Sequence, residues 1–323
     1  MSSLPSEDQI MANWSPTSIG PSVSICCVTY NHAPYIRDAL NSFLLQKTSF
    51  PFEIIVHDDA STDGTDDIIQ SYVAEYPRLF VPILQSENQF SKGVSPDVAT
   101  FKRTLSPYLA FCEGDDFWCD ETKLARQYAV MQAHPEVDLC THSAFTGGHD
   151  NIDVGFGSDE IAVTVADVVS KSFRMPTASV MLRRPAALKF MAFAEARPHL
   201  PFGDLYFRFF GALRGGGIHI DRPMCINRAF APGSWSARTR SSYEFMLDNR
   251  SRKLRSFLEL DSISDGRFSG VFREETYRAM RFAALDKSIP IKRRIKFLLM
   301  HHDLLPARLN IRLAGALLKG GIW

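Results

Sequence analysis

"PYLAFCEGDDFWCDE", residues 107–121, runs from an apolar stretch straight into Glu113, Gly114, Asp115 and Asp116, and then into two aromatics. The segment from Tyr108 to Cys112 suits a strand buried on both faces, as in a parallel sheet covered by helices. Three carboxylates within four positions at the end of such a strand repel one another. Each also loses hydration against apolar surface. The pattern asks for a positive group at that spot in the working protein.

Two earlier stretches repeat the arrangement. "VSICCVT" (23–29) is a continuous apolar run that leads into Thr29-Tyr30-Asn31, and "FEIIVHDD" (52–59) closes on Asp58 and Asp59. Helical spacing follows each run. After the first come Pro34 and the stripe Ile36, Ala39, Leu40, Phe43, Leu44; after the second come "ASTDGT" and Ile68, Ile69, Tyr72, Val73. "LFVPIL" (79–84) reads as a shorter strand and 95–105 as a helix. This alternation predicts an α/β fold with a mostly parallel, doubly wound central sheet flanked by helices. In such sheets ligands bind beyond the C-terminal ends of the strands, where the three polar clusters fall. Further on, the spacing predicts a helix over 121–135, strands over 137–145 and 177–184, a helix over 186–196 and an apolar helix behind Asp204. The expected domains are a flexible polar lead-in over 1–20, an α/β domain over 21–240 and a helical region over 241–323.

Composition narrows the classes. Of the 323 residues, 45% are apolar and 22% charged, and 36 basic residues balance 36 acidic ones, so no nucleic-acid partner is indicated. The balance is uneven along the chain. Residues 287–323 hold eight Lys or Arg against the single acid Asp303, which leaves 28 basic against 35 acidic elsewhere. The six cysteines (26, 27, 112, 119, 140, 225) form no CxxC pair and no Cys/His ligand spacing, which indicates a reducing, cytoplasmic setting. The N-terminal residues lack the basic-then-apolar order of a signal peptide. No apolar run approaches the roughly 18 residues of a membrane-spanning helix.

The ordered set "VSICCVTYNHAPYIRDALNSFLLQ", "FEIIVHDDASTDGT" and "YLAFCEGDDFW" resembles the family-2 glycosyltransferases over roughly residues 22–236. The resemblance implies the nucleotide-diphospho-sugar transferase fold called GT-A, and it implies roles. Tyr30, with Thr29 and Asn31 beside it, would stack on the nucleobase, and Asp59 would touch the base edge. Asp115 and Asp116 would hold the ribose and a divalent Mn²⁺ or Mg²⁺ on the diphosphate. Asp204 would be the catalytic base. Thr177, Arg228 and Trp235 would lie on the acceptor side, and Trp118 would either line the acceptor site or belong to the core. In "INRAFAPGSWS" Asn227 and Phe230 replace the Tyr and His of many relatives, which leaves a third protein ligand to the metal without support.

The implied activity is inverting transfer of a sugar from a nucleotide-diphosphate sugar, a UDP-sugar first, to a saccharide or lipid-linked hydroxyl acceptor in cell-surface polysaccharide or glycolipid synthesis. The chemistry is coherent, because a hard cation offsets the charge that concentrates on a departing diphosphate. Two alternatives stay open: a non-catalytic nucleotide-sugar-binding or scaffold protein, and a metal-dependent phosphohydrolase. In the basic tail, 291, 295, 298, 299 and 302 fall near one helical face, and Pro306 divides the pattern into two short helices. Peripheral contact with the inner face of a membrane through 287–323, packing on the body and a homodimer contact all remain open for it.

Overall fold

The computed structural model describes residues 4–15, 20–147, 152–153, 160–170, 175–197, 203–229 and 242–319. The chain divides into two compact units, Met1–Arg228 and Ala229–Trp323.

The first unit opens with a short helix, α1 (Glu7–Met11), inside what composition reads as a polar lead-in. Ser6 caps it through a reciprocal bond pair with Gln9. Ile10 is buried, Glu7 accepts from the backbone and guanidinium of Arg78, and Trp14 packs edge-on against Phe52 at 5.4 Å. Residues 4–15 are therefore folded onto the body.

Strands β1 (Val23–Thr29), β2 (Phe52–Asp58), β3 (Phe80–Leu84) and β4 (Tyr108–Phe111) pair in parallel in the spatial order β3-β2-β1-β4. Val23 through Cys27 are all buried, as a central strand covered on both faces requires. Helix α2 (Ile36–Leu44) buries Ile36, Ala39, Leu40, Phe43 and Leu44 at helical spacing against this sheet. Helices α3 (Thr65–Glu75) and α4 (Pro96–Arg103) complete the crossovers. Because these pairings are parallel, Thr29, Asp58 and the residues after Phe111 emerge at the same edge of the sheet.

The sheet then becomes mixed. It continues through β5 (Phe117–Trp118), α5 (Lys123–Ala133), β6 (Leu139–Thr146), β7 (Ile152–Asp153), β8 (Glu160–Val163), α6 (Val165–Ser170), β9 (Met181–Arg183), α7 (Arg184–Glu195), α8 (Asp204–Ala212) and β10 (Gly217–Asn227). The full order is β3-β2-β1-β4-β9-β6-β10-β5. β9 lies antiparallel between β4 and β6, while β6 and β10 run parallel. The predicted strand over 177–184 is shorter than expected: 177–179 form a 3-10 turn and only 181–183 pair.

Beneath β5 lies an unusual core residue. Lys123 is fully buried, its Nζ has no hydrogen-bond partner among the described residues, and it sits 3.6 Å from the centre of the Trp118 ring. Desolvation pushes its pKa down to about 7, against weaker opposite pulls from Cys112, Cys225 and Cys140. With a folded pKa below the unfolded one, this lysine penalises folding most fully below about pH 7, and the penalty fades as pH rises towards 10.5. Lys123→Met keeps the stem and removes the amine. It should raise stability at pH 6 by up to several kcal/mol and flatten the rise in melting temperature between pH 7 and 10. An unchanged slope in thermal melts across that range would show that Lys123 does not titrate there.

The second unit is helical: α9 (Tyr243–Ile263), α10 (Ser269–Leu285), α11 (Ile291–Met300) and α12 (Ala307–Lys319). Leu254, Phe257, Leu260, Phe272, Met280, Ala283 and Ala284 form its buried interior. Three contacts fasten α11 and the turn after it. Arg294 donates to the carbonyl of Ala284 (3.1 Å), Phe297 packs on His301, and the His301 ring nitrogen pairs with the Ser251 hydroxyl (2.9 Å). No helix among the described residues is long and apolar enough to cross a membrane.

Candidate active site

The site is built from the loops that leave β1, β2 and β4. After β1, Asn31 takes a left-handed conformation (φ 55°). Its backbone N–H donates to the Ser61 hydroxyl, and its side-chain oxygen accepts from the Thr62 N–H, both at 2.8 Å. His32 N–H donates to Thr65 Oγ1, and Ala33 N–H to the Asp63 carboxylate. The "TYNHA" and "DDASTDGT" loops are thus laced into one rigid rim, and Tyr30 stands on it 46% exposed, its ring open to stacking.

Asp58 and Asp59 both shape this rim. The carboxylate of Asp58 accepts from the Ser61 N–H and hydroxyl, which makes it a loop former. Asp59 is buried, and its two oxygens accept from the backbone N–H groups of Gln89 and Phe90 at 2.7 and 3.0 Å. Asn88 donates to the Asp59 carbonyl. The carboxylate expected at the base edge therefore tethers the 88–90 segment. Lys92, two residues beyond that segment, pairs with Glu87.

Gly114 is what lets the acidic turn come close to β1. A Cβ there would lie 2.6 Å from Thr29 Oγ1 and 3.0 Å from His32 Nδ1, while the Gly114 N–H donates to the Val28 carbonyl. Among the described residues, Thr29 Oγ1 and His32 Nδ1 are buried without hydrogen-bond partners. His32 Nε2 lies 4.0 Å from the Asp115 carboxylate, and burial lowers the His32 pKa against the pull of Asp115, Asp63 and Asp58.

The two aspartates of the turn do different work. Asp116 is buried, and its oxygens accept from Asn227 Nδ2 (2.9 Å) and from the Arg228 N–H (2.8 Å). Burial first, then Asp115, raises its pKa well above the carboxylate range, with the Asn227 and Arg228 bonds opposing. Asp115 is partly exposed and has only His32 within ion-pair distance among the described residues. Arg228 donates to the Asp115 carbonyl, pairs with Asp38 and stacks over Phe117 at 4.6 Å. Glu113 is exposed, and its pKa is raised above the usual range, by desolvation of the packed carboxyl first. Asp115, Asp116, Asp97 and Asp204 add to that rise, in that order.

Asp204 is the first residue of α8 rather than its cap, because Gly203 occupies the cap position. Its carboxylate pairs with the buried Arg208 guanidinium at 2.8 Å, and Arg208 also donates to the Met175 carbonyl. Asp97, in the first turn of α4, is pushed up to about 6 by desolvation and then by Asp204. Asp204 therefore acts electrostatically on both Asp97 and Glu113, across more than 90 residues of chain. Sequence reasoning passes over His32 and Asp97. The signal for His32 is its place in the loop that carries Tyr30; nothing in the pattern around Asp97 marks it.

The acceptor-side expectations fare unevenly. Trp118 is a core residue instead: 4% exposed, it packs on Phe43 at 4.8 Å and on Lys123, and its indole donates to the Ala178 carbonyl. Thr177 is half-buried and opens the 3-10 turn that receives this indole. Trp235 and Phe230 lie outside the described residues. As for a metal, no group of three or more His, Cys, Asp or Glu among the described residues is placed to hold an ion by itself. One or two open carboxylates still suit a hard cation whose other ligands are phosphate and water. Asp115 and Glu113 are the open ones.

Residues 24–184 match the family described as Glycosyl transferase family 2. An uncharacterized Mycobacterium tuberculosis protein is 34% identical over 220 residues, 66% of this chain and 60% of its own length. A poly(ribitol-phosphate) beta-N-acetylglucosaminyltransferase of Staphylococcus aureus, TarS, is 30% identical over 127 residues, 38% of this chain and 21% of its own. The chain thus spans less than two thirds of these relatives. The crystal structure of S. aureus TarS 1-349 in complex with UDP-GlcNAc superposes with a TM-score of 0.61 at 17% identity, over 93% of this chain and 89% of that one. A mannosyltransferase from Pyrobaculum calidifontis, in complex with GDP-Man and Mn²⁺, superposes with a TM-score of 0.52 at 17% identity, over 94% and 88%. The fold is that of the GT-A glycosyltransferases, and the chain belongs to glycosyl transferase family 2.

Proposed function

We propose, with that family as premise, that this chain is an inverting glycosyltransferase that moves a sugar from a nucleotide-diphosphate sugar to a hydroxyl acceptor. The observation that carries the reading is the convergence of the Tyr30 rim, Asp58–Asp59 and the 113–116 turn at one edge of the parallel strands, in a chain of this family. Asp204 supports it as a carboxylate whose charge reaches Asp97 and Glu113. In this reading Tyr30 stacks on the nucleobase, and Thr29 and Asn31 shape the rim beneath it. Asp59 holds the 88–90 segment that closes the base side. Asp115 meets the ribose and diphosphate, and Asp116 fixes the turn from below. A bound Mn²⁺ or Mg²⁺ would neutralise charge on the departing diphosphate, with Asp115 as its protein ligand. Asp204, oriented by Arg208, takes the acceptor hydroxyl proton as that oxygen attacks the anomeric carbon from the side opposite the nucleotide.

The nucleotide sugars named for the structural neighbours make UDP and GDP the first probes, with a UDP-sugar as the leading donor. The acceptor in this reading is a saccharide or lipid-linked chain, met in the cytoplasm at the inner membrane face. Thermal-shift measurements with UDP and GDP, each with and without Mn²⁺, test the donor side. At a hundredfold excess over Kd, binding adds about 2.7 kcal/mol, which is a rise of roughly 5 °C or more for a domain of this size. The rise should be larger with Mn²⁺ present. Failure of every nucleoside diphosphate to shift the melt, with or without the metal, would overturn the reading.

A further inference from the structure

Helix α11 has two faces of different chemistry. Arg294, Phe297 and, just past its end, His301 are buried. On the other side Ile291, Ile295 and Leu299 are 43%, 40% and 66% exposed, spaced four apart in one stripe. Lys292 and Lys296 form the adjacent stripe, also exposed, with Arg293 beside them. Helix α12 repeats the chemistry, with Ile311 72% exposed beside the exposed Arg308 and Arg312. The sequence pattern predicts an apolar stripe through 291, 295 and 299, and the structure leaves that stripe uncovered.

We propose that α11 docks on an anionic lipid surface, with Ile291, Ile295 and Leu299 in the headgroup–acyl boundary and Lys292 and Lys296 on lipid phosphates. Aliphatic side chains standing one residue wide between long-stemmed lysines suit this interface. The stems can lie along apolar surface while the ammonium groups stay at headgroup level. Charge selects the partner. Residues 287–323 carry eight basic side chains against Asp303, whereas the rest of the chain carries 28 basic against 35 acidic and is repelled by the same surface. This deepens the membrane-side placement in the proposed function, but its readout is partition rather than turnover.

Co-sedimentation of the full chain with vesicles of phosphatidylcholine containing about a third phosphatidylglycerol tests it. Binding is expected at low salt, with release at high salt and little binding to pure phosphatidylcholine. Ile295→Asp with Leu299→Asp should abolish sedimentation. Lys292→Glu with Lys296→Glu should lower the partition coefficient by roughly 30-fold or more, each basic residue near the surface being worth about fivefold. All four positions are exposed, so both variants should melt like the parent and keep its UDP/Mn²⁺ thermal shift. That control separates loss of docking from failure of the transferase reading. Absence of binding to anionic vesicles, equal binding by both variants, or an apolar stripe that light scattering shows to be consumed in a dimer would each overturn the proposal.

Discussion

Replacing Asp204 by Asn should slow sugar transfer by about 10²-fold or more, the scale for loss of a general base, while the affinity for the donor nucleotide stays within about twofold. The reason is positional. Asp204 sits at the start of α8, against Arg208, and among the described residues the hydrogen bonds that tie the Tyr30 rim and the 113–116 turn together run between other groups. Asparagine keeps the shape and an acceptor oxygen for Arg208 but cannot take a proton. Steady-state rates with a nucleotide sugar, alongside calorimetric binding of the nucleoside diphosphate, measure the two effects separately. Collapse of donor binding with normal turnover of bound donor would make Asp204 a structural residue. Unchanged turnover would remove it from the chemistry.

The second large effect separates two adjacent carboxylates. Asp115→Asn alters a partly exposed side chain whose one neighbour within ion-pair distance among the described residues is the His32 ring at 4.0 Å, so the melting temperature should hardly move. Transfer should fall by about two orders of magnitude, with loss of the Mn²⁺ increment in nucleotide thermal shifts. Asp116→Ala should behave differently. It strands the part-buried Asn227 amide and Arg228 N–H, at a cost of about 1–3 kcal/mol, seen as a melting temperature lower by several degrees before any ligand is added. If Asp115→Asn destabilises and Asp116→Ala does not, the two assignments must be exchanged.

The difference between those residues explains what is readable in the sequence. Strands β1, β2 and β4 announce themselves because a strand buried on both faces needs an unbroken apolar run, and the polar residue that ends each run marks the sheet edge. Two neighbouring aspartates carry no sign of which one points inward. That is decided by Asn227 and Arg228, at the end of a strand the pattern conceals. β10 begins at the end of a three-glycine run in which Gly215 and Gly216 adopt positive φ, and Asp221, Arg222 and Pro223 look like a turn in its middle. The strand survives them through a shift in register between Ile220 and Cys225. Trp118 is illegible for a similar reason. An aromatic beside an acidic turn fits a cleft wall as well as a core, and only the positions of Phe43, Lys123 and Ala178 decide the matter.

The bonds from Asn227 and Arg228 to Asp116 also set an order of events during synthesis. The acidic turn leaves the ribosome more than 110 residues ahead of the groups that hold it. Until β10 has emerged and paired with β5 and β6, Asp116 is an unpaired carboxylate at the end of an apolar strand, and β5 lacks its neighbour in the sheet. Contacts so distant along the chain close late and slowly. A nascent chain stopped short of residue 227 would carry every acidic residue of the turn and lack both groups that hold the Asp116 carboxylate.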